Sequence, residues 1–231
     1  MKRTIGVTGA AGNLGRAVVR RLAGDGERIV AVDREMGPLE DLVATLGGEH
    51  LTLAGVDLMS ADACEAMVKT SLDRFGRVDA IVHTVGGFTM GNIEDADASK
   101  FELMFRLNVL TTLNVFRSCT PALKKAGGGA MVAIVAAAGE KAGVGMAAYA
   151  GSKAAVHRLV ESFADELKTS AIRVNAVLPS IIDTPQNRTA MAQADHSTWV
   201  SPENLAATIA FLLSEQGRDI TGALIPVNGR F

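Results

Sequence analysis

Short runs of Val, Ile, Leu and Ala alternate along the chain with longer stretches in which apolar residues recur every three or four positions. The short runs predict buried strands and the longer stretches predict amphipathic helices. Seven strands are predicted, at residues 4–8, 28–32, 51–55, 80–83, 130–135, 173–178 and 224–227. Six helices are predicted between them, at 14–23, 39–46, 61–74, 99–125, 148–168 and 202–214.

This alternation is typical of βαβ units, so the expected fold class is α/β. The expected architecture is a Rossmann-type, doubly wound parallel sheet of seven strands with helices on both faces, in a single domain over residues 1–231. Ser60, Ser99 and Ser201 are predicted helix caps, the last followed by Pro202. Residues 179–200 carry no clear period, and a loop this long in a compact domain is usually functional or disordered. This 179–200 segment is a candidate substrate lid.

Composition excludes several classes of protein. The chain has 231 residues, 48% of them hydrophobic, and a net charge of -2. It is therefore long enough to bury a core without disulfides, and its charge disfavours nucleic-acid binding. Cys64 and Cys119 have neither disulfide-framework nor metal-ligand spacing. No metal site is therefore expected, and the expected location is the reducing cytoplasm. No apolar run is long enough for a membrane span.

A glycine-rich turn joins the first strand to the first helix. Residues 8–15 read TGAAGNLG, and in a dinucleotide-binding fold three such glycines serve a tight turn, close approach of a pyrophosphate and close helix packing. Here they are Gly9, Gly12 and Gly15. The turn therefore predicts a phosphate-binding site at the start of the helix.

Asp33 ends the second strand, 24 residues after Gly9. An acid at this place can accept hydrogen bonds from the adenosine ribose hydroxyls, and it would repel a 2′-phosphate. NAD is therefore expected in preference to NADP, with Arg34 as a partial offset to that repulsion. Asp57, after the third strand, is expected either to meet the adenine or to initiate a turn.

Tyr149 and Lys153 are four residues apart on a predicted helix, and so they share one face. A phenol with a pKa near 10 needs about 4 kcal/mol of help from positive charge to exchange protons near pH 7. The Lys153 ammonium and an oxidised nicotinamide are the predicted sources of that charge.

Taken together, these motifs closely resemble the short-chain dehydrogenase/reductase family over the whole chain. The resemblance implies that Tyr149 donates or accepts the proton, that Lys153 lowers its pKa and holds the nicotinamide ribose, and that Asn108 organises a water leading to Lys153. It implies that Thr184 holds the carboxamide. The full set of cofactor contacts implied is Gly9, Ala11, Gly12, Asn13, Leu14, Gly15, Asp33, Arg34, Asp57, Leu58, Val85, Gly86, Gly87, Tyr149, Lys153, Pro179, Ile182 and Thr184.

One departure from the family pattern bears directly on function. The family serine 13 residues before the tyrosine is Ala136 here. Losing one hydrogen-bond donor to the substrate oxygen typically costs 10² to 10³ in rate, about 3 to 4 kcal/mol. An electron-poor conjugated acceptor would suffer less from this loss than a ketone.

Several segments resemble one branch of the family, the dihydropteridine reductases, which also has alanine at this place. The resemblance covers the glycine spacing and the run from Leu178 to Trp199. It implies NADH-dependent hydride transfer to a planar acceptor such as quinonoid dihydropterin. Candidate substrate contacts are Phe88, Ala136, Arg188, Met191 and Trp199, although Phe88 replaces a tryptophan of that branch. Anchoring of the segment explains Arg188 equally well and Trp199 better.

The sequence is also compatible with two other functions. The chain could be an alcohol/carbonyl oxidoreductase in which water or Ser180 replaces the lost serine, or an NAD(H) sensor without turnover. His83 is expected to be either a core residue or a cofactor contact, and for His157 packing beside the sheet is favoured over a catalytic role. Apolar residues on several faces of the helices at 99–125 and 148–168 predict a homodimer or homotetramer.

Overall fold

The structure is a computed structural model that describes residues 2–230. Its seven strands form one fully parallel sheet in the order β3-β2-β1-β4-β5-β6-β7, with the bounds Thr4–Thr8 (β1), Arg28–Val32 (β2), Leu51–Leu53 (β3), Ala80–His83 (β4), Gly129–Ile134 (β5), Ile172–Pro179 (β6) and Leu224–Val227 (β7). The helices are Asn13–Gly24 (α1), Met36–Ala44 (α2), Ala61–Phe75 (α3), Ala98–Met104 (α4), Thr111–Lys125 (α5), Ala147–Leu167 (α6), Pro185–Ala190 (α7) and Pro202–Leu213 (α8).

Two apolar layers cover the sheet. One packs α1, α2 and α8 against one face, and the other packs α3, α5 and α6 against the opposite face. The middle strands β1, β4, β5 and β6 are buried on both faces, which explains why they read as continuous apolar runs. The predicted doubly wound, Rossmann-type α/β fold is therefore confirmed.

The strand order reverses between β1 and β4, which lie side by side with Thr8 opposite His83. Chain connections leave the carboxyl ends of these two strands in opposite directions, and this opens a crevice. The glycine-rich turn follows β1, so the crevice lies where the sequence predicts a cofactor. Among the described residues no helix is long and apolar enough to cross a membrane.

The helix predicted at 99–125 is wrong in two respects. It begins at Ala98, capped by Asp97, whose carboxylate accepts the Ser99 backbone N–H, so Ser99 is not the cap. It is also interrupted by a π-helical stretch at Phe105–Leu110, here called the π segment. Ser60 and Ser201 do cap their helices.

Other predicted helix and strand bounds also differ from the structure, by one to three residues. β3 ends at Leu53 rather than at residue 55, because Gly55 adopts a φ of 71° in the turn that follows. The 179–200 segment is not patternless, since it contains α7 and a one-turn helix at His196–Thr198. Both helices are too short to leave a period in the sequence, and each is started by a side-chain cap, Thr184 and Asp195.

Candidate active site

The glycine-rich turn connects the end of β1 to the start of α1. Gly9 adopts a φ of 72°, which favours glycine, and the Gly12 N–H donates to the Gly9 carbonyl at 3.0 Å. A Cβ on Gly15 would overlap the Gly9 carbonyl, so only glycine allows α1 to pack this closely on the turn. The first N–H groups of α1 are thereby aimed into the crevice, as an anionic ligand requires.

A groove of about 460 Å³ runs along this turn. It brings together nine of the predicted cofactor contacts: Gly9, Ala11, Gly12, Asn13, Leu14, Gly15, Asp33, Val85 and Gly86. It is also lined by residues that the sequence analysis missed, Arg16, Glu35, Pro38 and Thr84. Of these, the Arg16 side chain donates to the Ala11 carbonyl at 2.7 Å. The only sequence signal for Arg16 is its position one residue after Gly15.

Asp33 is tied to the glycine turn by its own carboxylate. One oxygen accepts the Ala11 N–H at 2.8 Å and the other accepts the Arg34 N–H at 2.7 Å. Asp57 is engaged in a turn, where its carboxylate accepts the Met59 N–H at 3.0 Å, the second of its two predicted roles. The Leu58 side chain belongs to the core rather than to the groove, with 7% of its surface exposed.

Tyr149 and Lys153 lie together on the first turns of α6, as their spacing predicts. The Lys153 ammonium nitrogen is 5.9 Å from the centre of the Tyr149 ring. It donates to the Ile134 carbonyl at the end of β5, at 3.0 Å. Phe88 packs edge-on against the Tyr149 ring, with the ring centres 4.9 Å apart. The Tyr149 ring therefore has both an ammonium and an exposed aromatic ring beside it.

Asn108 is held next to this pair by the π segment. Its carboxamide accepts the Gly87 N–H at 2.8 Å and donates to the Ser152 hydroxyl at 2.8 Å. Ser152 in turn donates to the Tyr149 backbone carbonyl at 2.7 Å. Sequence reasoning missed Ser152, which only the fold brings to Asn108.

Burial governs the protonation of the two central groups. It raises the pKa of Tyr149 to about 12 and lowers the pKa of Lys153 to about 8. The prediction that Lys153 lowers the phenol's pKa is thus not met in the protein by itself, because the ammonium is directed to Ile134 and burial outweighs its attraction. The phenol holds its proton at neutral pH.

Gly86 keeps open the space in which Asn108 and Lys153 meet. A Cβ at this position would lie 2.7 Å from the Asn108 carboxamide oxygen and 3.0 Å from the Lys153 nitrogen. We expect Gly86→Ala to lower kcat about 10²-fold, since a displacement of about 1 Å at such a group costs this much. The control is Gly91→Ala in the same loop, where nothing lies within 4 Å of the added carbon. Equal kcat values for the two variants would refute this reading of Gly86.

The buried Lys153 also makes a pH-dependent contribution to stability. Its pKa is about 8 in the folded protein and 10.5 ordinarily, so between these values the unfolded chain binds more protons. The cost to folding is therefore complete below about pH 8 and fades towards pH 10.5. It amounts to about 3 kcal/mol at pH 7, against about 1 kcal/mol from the bond to Ile134.

We expect Lys153→Met to raise the free energy of unfolding by about 2 kcal/mol at pH 7, with the gain disappearing by about pH 10. Urea denaturation at the two pH values measures it. A gain that is the same at both would show that packing, and not the charge, is responsible.

Ala136 is buried at the start of the one-turn helix Ala137–Gly139. The imidazole of His157 packs behind this turn, because a Cβ on Gly139 would lie 2.8 Å from its Nε2. His157 is 2% exposed, and among the described residues its Nε2 has no hydrogen-bond partner. The structure therefore favours a packing role for His157 over a catalytic one.

The 179–200 segment is pinned by its own side chains. Arg188 forms a two-pronged ion pair with Asp183, one arm at 2.7 Å, so its predicted contact with substrate is replaced by an internal one. Trp199 is 7% exposed and packs at a tilt against His196 with ring centres 4.4 Å apart, which makes it an anchor rather than a surface for substrate. Met191 is half-buried and its carbonyl accepts from His196 at 3.0 Å.

The remaining predicted contacts in this segment lie at and just after the carboxyl end of β6. Pro179 ends β6, and Ile182 pairs with Val200. The Thr184 hydroxyl oxygen accepts the Asn187 N–H at 3.2 Å. The Asn13 side chain of the glycine-rich turn donates to Gln186 of α7 at 2.8 Å, a link that sequence reasoning missed.

Comparison with known proteins decides the family. A family model described as short chain dehydrogenase matches residues 3–195. The chain belongs to the short-chain dehydrogenase family. It is 30% identical to the 7alpha-hydroxysteroid dehydrogenase of Bacteroides fragilis over 237 residues, covering 96% of this chain and 92% of that protein. The chain is therefore an NAD(P)-dependent oxidoreductase of this family.

Solved structures support the same assignment. A short-chain type dehydrogenase/reductase from Mycobacterium ulcerans superposes with a TM-score of 0.93 at 28% identity, covering 99% of this chain and 89% of that one. The 3-ketoacyl-(acyl-carrier-protein) reductase from Brucella melitensis, complexed with NADH, gives 0.89 at 27% identity, covering 99% and 98%. These matches establish the family, whereas the narrower resemblance to dihydropteridine reductase rests on sequence motifs alone.

Proposed function

We propose that this protein is an NADH-dependent reductase that transfers hydride to a planar, electron-poor acceptor of the quinonoid dihydropterin type. The observation that carries the proposal is the pairing of Tyr149 and Lys153 at the crevice with an alanine, Ala136, where the family has a serine. The chain therefore has a proton donor but lacks the usual hydroxyl that polarises a carbonyl.

The groove along the glycine-rich turn suits a nicotinamide dinucleotide. Glycines at 9, 12 and 15 leave room for a pyrophosphate next to the α1 N–H groups, and Asp33 stands where the adenosine ribose would lie. Both Asp33 oxygens already accept a backbone N–H, which holds the carboxylate in place to accept ribose hydroxyls as well. Its charge supports NADH over NADPH. When bound, the reduced cofactor supplies the hydride.

Tyr149 supplies the proton in this proposal. Because its pKa is about 12, the phenol is protonated at neutral pH and can donate to an acceptor that is gaining hydride. Lys153 stabilises the phenolate that remains, and a positively charged oxidised nicotinamide adds to that stabilisation. Asn108 and Ser152 hold the start of α6 in position through the Tyr149 carbonyl.

The acceptor must be reactive without a serine donor. Ser180, the other predicted source of a hydroxyl, already donates to the Asn228 carbonyl at 2.8 Å. Phe88 offers a flat, 59% exposed apolar face beside the phenol, which suits a planar heterocycle. The 179–200 segment acts as the substrate lid in this proposal, and its Asn13–Gln186 hydrogen bond joins it to the cofactor groove.

A second candidate is an alcohol/carbonyl oxidoreductase. The observation in its favour is the 30% identity to a hydroxysteroid dehydrogenase. In this case a water would have to take the place of the missing serine hydroxyl.

A substrate panel distinguishes these functions. NADH oxidation is followed with quinonoid dihydropterin and, in parallel, with ketones, aldehydes and a hydroxysteroid oxidised at one carbon, each repeated with NADPH. We expect turnover on the dihydropterin and a preference for NADH. Turnover on the carbonyl compounds alone would replace the first proposal by the second, and cofactor binding without any turnover would leave only an NAD(H) sensor.

We also propose that the chain forms a homodimer or homotetramer through α5 and α6. A shallow groove between these helices is lined by Leu113, Pro121 and Phe163, and its apolar surface would be covered by a second copy. Light scattering should give a mass of at least twice 24.1 kDa. The buried free thiols of Cys64 and Cys119 are in keeping with the proposed cytoplasmic location.

A further inference from the structure

His83 is fully buried at the end of β4 and joins two elements of the site. Its Nδ1 lies 2.8 Å from the Thr8 hydroxyl, at the end of β1 next to the glycine-rich turn. Its Nε2 lies 3.1 Å from the Thr111 hydroxyl, at the start of α5. The side chain is 1% exposed, so both contacts are shielded from water.

Each hydrogen bond in this chain of contacts has only one possible donor. Thr111 donates its single hydroxyl proton to the Leu107 carbonyl at 2.6 Å, so it must accept from His83. Nε2 therefore carries the imidazole proton, and Nδ1 accepts from Thr8. Burial lowers the pKa of His83 to about 3, so the ring stays neutral and keeps this arrangement at ordinary pH.

The chain of hydrogen bonds ends inside the π segment that presents Asn108. A π-helical turn displaces backbone carbonyls from their usual partners. Here two threonine hydroxyls donate to such carbonyls. Thr111 donates to the Leu107 carbonyl and Thr112 to the Asn108 carbonyl, each at 2.6 Å. His83 ties the first of these threonines to the central sheet, and so it fixes the flank of the π segment relative to the glycine-rich turn.

The position of Asn108 matters for the phenol. The Asn108 oxygen and the Lys153 nitrogen both lie close to Gly86, at the mouth of the crevice. If the π segment shifts, the partial negative charge of the Asn108 oxygen moves away from the Lys153 ammonium. The ammonium is then less well stabilised, and the phenolate of Tyr149 loses stabilisation in turn.

We propose that His83 is a positioning residue that sets the proton affinity of Tyr149 through Thr111, the π segment and Asn108. The inference rests on the proposed role of Tyr149 in hydride transfer, but it is tested by a property that needs no substrate. Histidine suits this place because it accepts on one side and donates on the other across a fixed span. Glutamine can reproduce that polarity, whereas leucine fills the space without it.

The single tyrosine of the chain makes the test direct. Tyrosinate absorbance in the near ultraviolet, titrated in the complex with NAD⁺, reports the pKa of Tyr149 alone. The variants are His83→Leu, His83→Gln and Thr111→Val. The matched control is Thr120→Val. The Thr120 hydroxyl also donates to a carbonyl of its own helix, that of Phe116 at 2.8 Å, but it has no histidine partner.

We expect His83→Leu and Thr111→Val each to raise the proton affinity of Tyr149 about tenfold and to lower kcat 10- to 100-fold, with the dissociation constant of NADH unchanged within about twofold. The double variant should add nothing further, because both changes break the same chain. His83→Gln and Thr120→Val should stay near the wild type. If His83→Leu fails to fold, Thr111→Val and His83→Gln still decide the question.

The outcomes separate this inference from the proposed function. An unchanged titration in Thr111→Val, or a glutamine variant as impaired as the leucine variant, would overturn the role of His83 while leaving turnover intact. A wild type that reduces none of the acceptors would overturn the proposed function, yet the titration would still judge His83.

Discussion

Replacing Tyr149 with Phe should lower kcat for NADH-dependent reduction about 10³-fold. The phenol is the only tyrosine of the chain, and its ring centre lies 5.9 Å from the nitrogen of the buried Lys153. A positioned proton donor contributes 10² to 10⁴ in rate, and phenylalanine keeps the ring that packs against Phe88. Steady-state kinetics on the best acceptor of the panel measure the loss.

Binding of NADH provides the control for this variant. Its dissociation constant should change less than about threefold, since Tyr149 does not line the groove formed by the glycine-rich turn and Asp33. A variant that retains full activity would show that the acceptor takes its proton from solvent. If the wild type binds the cofactor without turnover and Tyr149→Phe changes nothing, the protein is a sensor.

The second large effect concerns the missing serine. We expect Ala136→Ser to raise kcat/KM for ketones about 10²-fold, because it restores one hydrogen-bond donor to the carbonyl oxygen. The same change should leave the rate on quinonoid dihydropterin within about twofold, since that acceptor is reactive without polarisation. Parallel kinetics on the two substrates measure the contrast.

Ala138→Ser is the matched control for this prediction, since it adds the same hydroxyl two residues further along the same turn. It should leave both rates unchanged. An equal gain on ketone and dihydropterin at position 136 would contradict the proposed acceptor class, and no gain on ketones would indicate that another donor already serves them.

Sequence reasoning and structure agree best where local patterns carry the information. The strands at 4–8, 28–32, 80–83 and 224–227 have the predicted bounds, because an apolar run flanked by polar residues is sufficient to place a buried strand. The glycine-rich turn was equally predictable, since Gly9 and Gly15 are demanded by backbone geometry within a few residues. Tyr149 and Lys153 meet because a helix brings residues four apart together.

Agreement is poorest where a side chain has more than one possible partner within a few residues. Ser99 looks like a helix cap, yet Asp97 takes that place, since its carboxylate accepts the Ser99 N–H in the first turn of the helix. Arg188 and Trp199 look like substrate contacts, but their partners Asp183 and His196 lie within the folded segment. The periodic pattern of apolar residues does not reveal which of these side chains contact each other.

The sequence by itself thus determined the order of strands and helices, the cofactor turn, the Tyr149–Lys153 pair and the loss of the serine at Ala136. Only the tertiary structure decided the π segment, the Asn108–Ser152 link, the buried bridge through His83 and the state of the phenol. The physical reason is that periodicity and turn geometry act over a few neighbouring residues. Hydrogen bonds from β1 through β4 to α5, and the burial that shifts a pKa, exist only once the chain has folded.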